Sequence, residues 1–218
     1  MAYWRKIGGF LEQISVGNGT SIYGVNAHDN VFRLRAGDQW ETISGSLKYV
    51  SAANDGTVVG VNASDEIFRY LGGGKWRQLE GYLKQVSAGS AGQVWGVNAQ
   101  NDIFRYSGDY EWEQIDGSLA HVSAGSDGTV WGVNPSGQIF RYAGGDNWRQ
   151  VDGSLKQVSV GRAPHIWGVN ANKQVFRYRG EDQWEQIDGY LKHVSVGSDG
   201  AVYGVNANDE VFQYMPYG

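Results

Sequence analysis

Trp112-Glu-Gln-Ile-Asp-Gly-Ser-Leu-Ala-His-Val-Ser-Ala-Gly-Ser-Asp-Gly-Thr-Val-Trp131-Gly-Val-Asn134-Pro-Ser-Gly-Gln-Ile-Phe140-Arg-Tyr142 decides the fold, because the chain contains six versions of it. Its leading tryptophan recurs as Trp4, Trp40, Trp76, Trp112, Trp148 and Trp184, a spacing of 36 residues without drift. Six copies account for 216 of the 218 residues, so no copy carries an insertion. A fixed period of this length marks a repeat architecture. Whatever one repeat binds, the chain can present about six times.

The quoted copy holds four runs rich in β-branched and aromatic residues: Trp112–Ile115, Leu119–Ala124, Thr129–Asn134 and Gln138–Tyr142. Turn residues separate them at Asp116-Gly, Ser126-Asp-Gly, Pro135-Ser-Gly and Ala143-Gly-Gly-Asp. No helical periodicity fits. Four short antiparallel strands repeated six times predict an all-β chain: a six-bladed β-propeller forming one domain over residues 1–218. A β-solenoid has shorter rungs, and a sandwich needs no fixed period. Blades pack face to face, so apolar residues are needed on both faces of each sheet. One tryptophan ring buries about 150–250 Å², an upper estimate of roughly 4–6 kcal/mol at about 25 cal/mol per Å².

The phase of the repeat also predicts how the ring closes. The run Leu-x-x-Val-Ser-x-Gly is small and suits the crowded innermost strand. The last repeat stops after its third strand. Trp4–Ile7 is therefore expected to supply the fourth, outermost in the last blade and paired with Val211–Tyr214.

Composition narrows the function. The net charge is -5, and the 18 lysines and arginines are scattered singly. A nucleic-acid binder would show a basic stripe, so no nucleic-acid partner is expected. No run reaches the length of a membrane span, and no membrane insertion is expected. The start, Met-Ala-Tyr-Trp-Arg-Lys-Ile-Gly-Gly-Phe, has no apolar signal region. Cysteine is absent, which excludes disulfides and thiolate metal sites and suits a reducing, cytoplasmic setting. Two glycosylation triplets, at Asn18 and Asn62, do not change that expectation, because Asn62 occupies a position that every repeat uses.

The recurring Trp-Gly-Val-Asn followed at fixed spacing by Ile-Phe-Arg-Tyr resembles the tectonin repeat, and the resemblance covers the whole chain. It implies a β-propeller lectin. Related animal lectins bind bacterial lipopolysaccharide or GlcNAc-type sugars. Fungal members are associated with O-methylated glycans of bacteria and nematodes, and with defence. Six repeats without cysteine look most like the fungal, cytoplasmic type.

Four sets of residues are candidates for ligand contact. The six period tryptophans could stack a sugar, but every propeller needs such inter-blade fillers, and they are read as core. The ring before Gly-Val-Asn is Tyr23, Trp95, Trp131, Trp167 or Tyr203, with Val59 in the second copy. It could cap a sugar face or an O-methyl group, or simply pack. Asn26, Asn62, Asn98, Asn134, Asn170 and Asn206 offer a donor and an acceptor, either to a sugar hydroxyl or to their own turn. Arg33, Arg69, Arg105, Arg141 and Arg177 carry planar five-donor groups, with Gln213 in the last copy. They suit a hydroxyl-rich or acidic ligand, or a structural bond to carbonyls or carboxylates of the neighbouring blade. Strand alternation separates ring from Asn, so a pocket using ring and Arg must lie between adjacent blades. Val59 and Gln213 mark the copies expected to be defective.

Catalysis finds little support. His28, His121, His165 and His193 show no metal-ligand spacing and read as surface variation. Glu80, Asp116, Asp152 and Asp188 occupy one repeat position and could form an acidic rim around the channel. Ser44 and Gly8 fill the same slot, whereas an enzyme needs one differentiated site. No metal and no cofactor are expected. The expected function is a multivalent glycan-binding lectin. The alternative is a protein-interaction propeller, and a homo-oligomer stays open.

Overall fold

Tight turns force each strand of the repeat to fold back on the one before it. The computed structural model describes residues 2–108 and 111–216, and shows this folding back in six sheets. The chain enters through β1 (Tyr3–Phe10). Blade I is β2 (Gln13–Asn18), β3 (Ser21–Val25), β4 (Asn30–Arg35) and β5 (Gln39–Ser46). Blade II is β6 (Tyr49–Ala52), β7 (Val58–Val61), β8 (Glu66–Gly72) and β9 (Lys75–Tyr82). Blade III is β10 (Gln85–Ser90), β11 (Gln93–Val97), β12 (Ile103–Gly108) and β13 (Glu111–Ile115). Blade IV is β14 (His121–Ala124), β15 (Val130–Val133), β16 (Gln138–Gly144) and β17 (Asn147–Ser154). Blade V is β18 (Gln157–Arg162), β19 (His165–Val169), β20 (Gln174–Gly180) and β21 (Gln183–Tyr190). Blade VI is β22 (His193–Val196), β23 (Val202–Val205) and β24 (Glu210–Met215), completed by β1.

The first strands of successive blades touch in a closed circuit, β2 to β6 and round to β22 and back, so they form the hub. The ring closes as the repeat phase requires: β1 lies antiparallel to β24, with Trp4 opposite Tyr214 and Arg5 opposite Gln213. Strand limits differ from the expected runs at the hub. The inner strand begins at His121 rather than Leu119, because Leu119 turns under Gly132. A Cβ on Gly132 would meet Leu119 Cδ1 at 2.3 Å. That approach explains why glycine precedes Val-Asn in every copy.

Each apolar cluster straddles a blade boundary. Trp131, Val133, Ile139 and Val151 of blade IV pack with Val158, Val160 and Ile166 of blade V, flanked by Phe176, Tyr178 and Trp184. The period tryptophan sits at the rim and is half-buried. Its indole Nε1 donates to a carbonyl of the preceding blade's outer edge, as in Trp40 to Gly8 at 2.6 Å, Trp184 to Asp152 at 2.9 Å and Trp4 to Asp188 at 2.7 Å. Gly153 follows that carbonyl with φ +107° and lies against the ring: a Cβ there would meet Trp184 Cδ1 at 3.2 Å. Core packing and a rim hydrogen bond thus fall on one side chain.

A second period, 72 residues, overlies the first. Odd blades start their hub strands with Gln13, Gln85 and Gln157, whereas even blades start theirs with Tyr49, His121 and His193. Each glutamine bridges to the next blade. Gln13 Oε1 accepts from Val50 N at 3.1 Å while its Nε2 donates to Val50 O at 2.9 Å, and the other two repeat the pattern. The even blades answer at one axial face with Asp55, Asp127 and Asp199, which accept from Ala91 N, Ala163 N and Gly19 N at 2.8, 2.9 and 2.8 Å. The serine ring, like the tryptophan Nε1 bonds, ignores the alternation. Ser15, Ser51, Ser87, Ser123, Ser159 and Ser195 each accept a backbone N–H from the following blade at 2.9–3.0 Å.

Candidate functional site

Cross-strand register assembles the candidate residues. Trp95 lies opposite Arg105, and Arg105 opposite Glu113. Directly opposed residues share a sheet face, so ring, arginine and carboxylate stand on one wall. That wall faces blade IV, where Tyr142 and Trp148 lie 4.8 and 6.2 Å from the Trp95 ring. The groove lies between blades, but ring and arginine share one face of a single blade, so alternation along the strands does not itself force a ring-and-arginine pocket to span two blades. Equivalent walls carry Tyr23 with Arg33 and Trp167 with Arg177. The guanidinium carbons of Arg33, Arg105 and Arg177 sit 5.5, 5.8 and 5.8 Å from the centroids of their rings.

Burial decides what these groups can touch. Tyr23, Trp95, Trp131, Trp167 and Tyr203 are 1–5% exposed. Tyr23, Trp95 and Trp167 support an arginine from beneath, and all five rings are too buried to give a sugar a free face to stack on, which corrects the expectation that they cap a ligand. Val59 is likewise buried, so it fills the same core slot with less volume. The accessible aromatic surface belongs instead to the period tryptophans on the opposite wall, which the repeat pattern had assigned to the core alone. Their half-burial follows from the outermost place of their strands.

The asparagines leave the candidate set. Asn134 Oδ1 accepts from Ser136 N and Gln138 N at 3.0 and 2.9 Å, while its Nδ2 donates to Gln138 Oε1 at 2.7 Å. Asn62, Asn98, Asn170 and Asn206 repeat this double acceptance and donation. Asn26 makes the two acceptor bonds. Each side chain is committed to its own turn.

The arginines divide. Arg105 donates through Nε and Nη2 to Glu113 Oε2 at 3.2 and 2.5 Å, which raises the pKa of the guanidinium. Arg177 does the same to Glu185 at 3.1 and 2.7 Å, and Arg179 joins at 2.8 Å. Those two arginines hold the Glu185 carboxyl below its usual range, the Arg177 hydrogen bond most strongly. In blade I, Arg35 takes Glu41 at 2.6 Å, and the buried Nε of Arg33 has no hydrogen-bond partner. In even blades the opposed residue is basic: Arg69 faces Arg77, Arg141 faces Arg149, and Gln213 faces Arg5. Arg149 crosses to Asp182 of blade V at 2.5 Å, and Arg5 crosses to Asp38 of blade I at 2.6 Å.

Two of these grooves open into sizeable cavities. One of about 620 Å³ lies between blades V and VI, lined by Arg177, Arg179, Glu185, Trp4 and Tyr214. Another, of about 510 Å³, lies between blades VI and I, where Leu34 stands in place of the wall tyrosine. Its lining includes Arg5, Asp38 and Gln213.

Two further expectations are corrected. His121 and His193 are channel residues, not surface variation. Their rings stand edge-on to Tyr49 at 6.4 and 6.2 Å, and Tyr49 Oη lies 3.2 Å from His121 Nε2. Burial pushes His121 down to about 4 and His193 down to about 3, and pushes Tyr49 up to about 12. Glu80, Asp116, Asp152 and Asp188 form no rim around the channel. They lie at the outer edges of the blades, where their carbonyls receive the tryptophan Nε1 bonds.

Comparison with known proteins agrees with this architecture. A family model described as the Tectonin domain matches residues 1–71 and 52–217. No curated protein gives a significant match. Among solved structures, a gluconolactonase from Xanthomonas campestris superposes with a TM-score of 0.75 at 11% identity, over 96% of this chain and 86% of that one. The WD40 propeller domain of Doa1 gives 0.69 at 12% identity, over 100% and 98%. A virginiamycin B lyase from Staphylococcus aureus gives 0.67 at 13% identity, over 94% and 80%. At such identities these likenesses concern the fold alone.

Proposed function

Because the chain belongs to the tectonin family, we propose that it is a multivalent lectin that recognises surface glycans through the grooves between its blades. The observation that carries this reading is the groove between blades V and VI. A guanidinium fixed by a carboxylate faces a half-exposed indole across a cavity of about 620 Å³. The ion pair offers donors and an acceptor to sugar hydroxyls, and the indole offers an apolar face to ring C–H groups. An O-methyl group would gain about 0.8 kcal/mol per carbon buried there. O-methylated glycans of bacteria or nematodes, met in a defensive role, are the targets that the family resemblance suggests. A cysteine-free chain suits storage in the cytoplasm.

A shallow site of this kind binds weakly; a millimolar dissociation constant is about 4 kcal/mol. Repetition offsets that weakness, since several sites on one glycan-coated surface raise avidity by roughly 10²–10⁴. We assign no catalysis, because the grooves share their chemistry in several copies. The test is a calorimetric titration with singly O-methylated hexosides and their unmethylated parents. Stronger binding of the methylated sugar supports the full reading. Equal binding removes the methyl preference and leaves a lectin. No binding across a glycan array favours a protein-interaction propeller.

A further inference from the structure

The six grooves are not equivalent, and the difference follows the 72-residue period. Where an odd blade faces the next even one, the wall carries a stacked arginine and a glutamate: Arg33 and Glu41, Arg105 and Glu113, Arg177 and Glu185. Both charges stand on the same wall. Arg105–Glu113 and Arg177–Glu185 pair within their walls, and in blade I Glu41 pairs with Arg35 of its own blade, so these bonds leave the gap to the neighbouring indole uncrossed.

Where an even blade faces the next odd one, the wall carries no carboxylate. The opposed pairs are Arg69 with Arg77, Arg141 with Arg149 and Gln213 with Arg5. No guanidinium stacks on a ring in these grooves among the described residues. Among the described residues, the outer arginine reaches the opposite wall from Arg149 to Asp182 and from Arg5 to Asp38. Such a bond runs across the groove and straps the blades together. The cavity between blades VI and I lies where Leu34 replaces a tyrosine, and the Arg5–Asp38 strap is part of its lining.

We propose that the propeller carries three glycan sites rather than six, in the grooves from blade I to II, III to IV and V to VI, and that the intervening grooves are structural clamps. The inference rests on the lectin reading and refines it. The ligand class follows from the wall chemistry. A guanidinium beside a glutamate, directly paired with it in blades III and V, suits an uncharged sugar, whose vicinal hydroxyls need a donor and an acceptor side by side. Glu41, Glu113 and Glu185 are then specificity-determining residues, because only they supply the acceptor.

Titration of the intact protein with an O-methylated hexoside tests this by stoichiometry. About three sites per chain are expected. About six overturns the inference and leaves the lectin reading standing, whereas none overturns both. Glu113→Gln and Glu185→Gln should each remove one site without shifting Tm by more than a few degrees, and the double variant should bind about one. Arg149→Gln cuts a clamp and should leave three sites with unchanged affinity. Loss of a site in Arg149→Gln, or full stoichiometry in the double glutamine variant, would sink the proposal. If either glutamine variant fails to fold, Glu113→Asp, which keeps the charge but shortens its reach, should lower affinity at one site in three.

Discussion

Blades IV and V repeat one sequence pattern, yet they hold their neighbours by different bonds. Blade IV reaches forward at the axial face through Asp127 and at the rim through Arg149, while its His121 points into the channel. Blade V reaches forward at the hub through Gln157, and keeps its rim arginine at home on Glu185. The strand order is the same in both. The comparison teaches that repetition sets the ring while alternation sets the joints. A boundary tied at the hub can leave its rim open, and a boundary tied at the rim need not spend its hub position on a clamp.

Three experiments would break or sharpen that contrast. The largest effect is expected from deleting residues 1–8, which removes most of β1 from blade VI along with Trp4. Its ring lies 5.1 Å from that of Tyr214 and 6.3 Å from that of Trp167. The truncated chain should lose its cooperative unfolding transition in circular dichroism. A melt like that of the intact protein would show that the blades stand without closure.

The next effect belongs to the even blades alone and depends on pH. Burial disfavours the charged forms of His121 and His193 and pushes them down to about 4 and about 3 in the folded protein, well below the ordinary histidine value of 6.5. Below about pH 6.5 the unfolded chain therefore binds protons that the folded chain refuses. Their contribution is fully present above that pH and is lost as pH falls toward 4 and then 3. The loss is about 1.4 kcal/mol per unit for each ring. Replacing both with the odd-blade residue, His121→Gln with His193→Gln, should flatten urea-derived stability between pH 6.5 and 4. An unchanged slope would place the acid sensitivity elsewhere.

The smallest effect compares two boundaries through one residue type. Trp148 packs against both Tyr142 and Trp95, whereas Trp112 has Tyr106 but meets Val59 where the second ring would stand. Trp148→Ala should cost about 1 kcal/mol more than Trp112→Ala, the worth of one edge-to-face pair. Equal costs from denaturant melts would mean that area burial alone sets the energy.

Much of the fold was legible in the letters. An undrifting tryptophan period demands identical units, four β-patterned runs define each unit, and the missing last strand assigns Trp4–Ile7 to closure. The groove was only partly legible. Alternation along a strand separated Asn134 from Trp131, but it could not show that Arg105 pairs with Trp95, because register between strands is not written in either strand. Burial of the Trp131 ring and half-exposure of Trp148 depend on which strand is second and which is outermost. Asn134 could not be assigned by type, since an Asx turn and a sugar contact use the same two atoms. The 72-residue period was present at Gln13, Tyr49, Gln85 and His121. Averaging six copies into one consensus erases a feature that only every second copy shares.

The alternation has a consequence for assembly. Residues 13–82, one blade pair, hold the Gln13 clamp internally and present Asp55 at the exit edge, ready for the entry edge of the next pair. Such a unit has complementary head and tail. Three separate copies would meet through one heterologous interface whose successive 120° rotations close on themselves, a cyclic trimer in place of a single chain. Covalent linkage would then contribute effective concentration and no new contact.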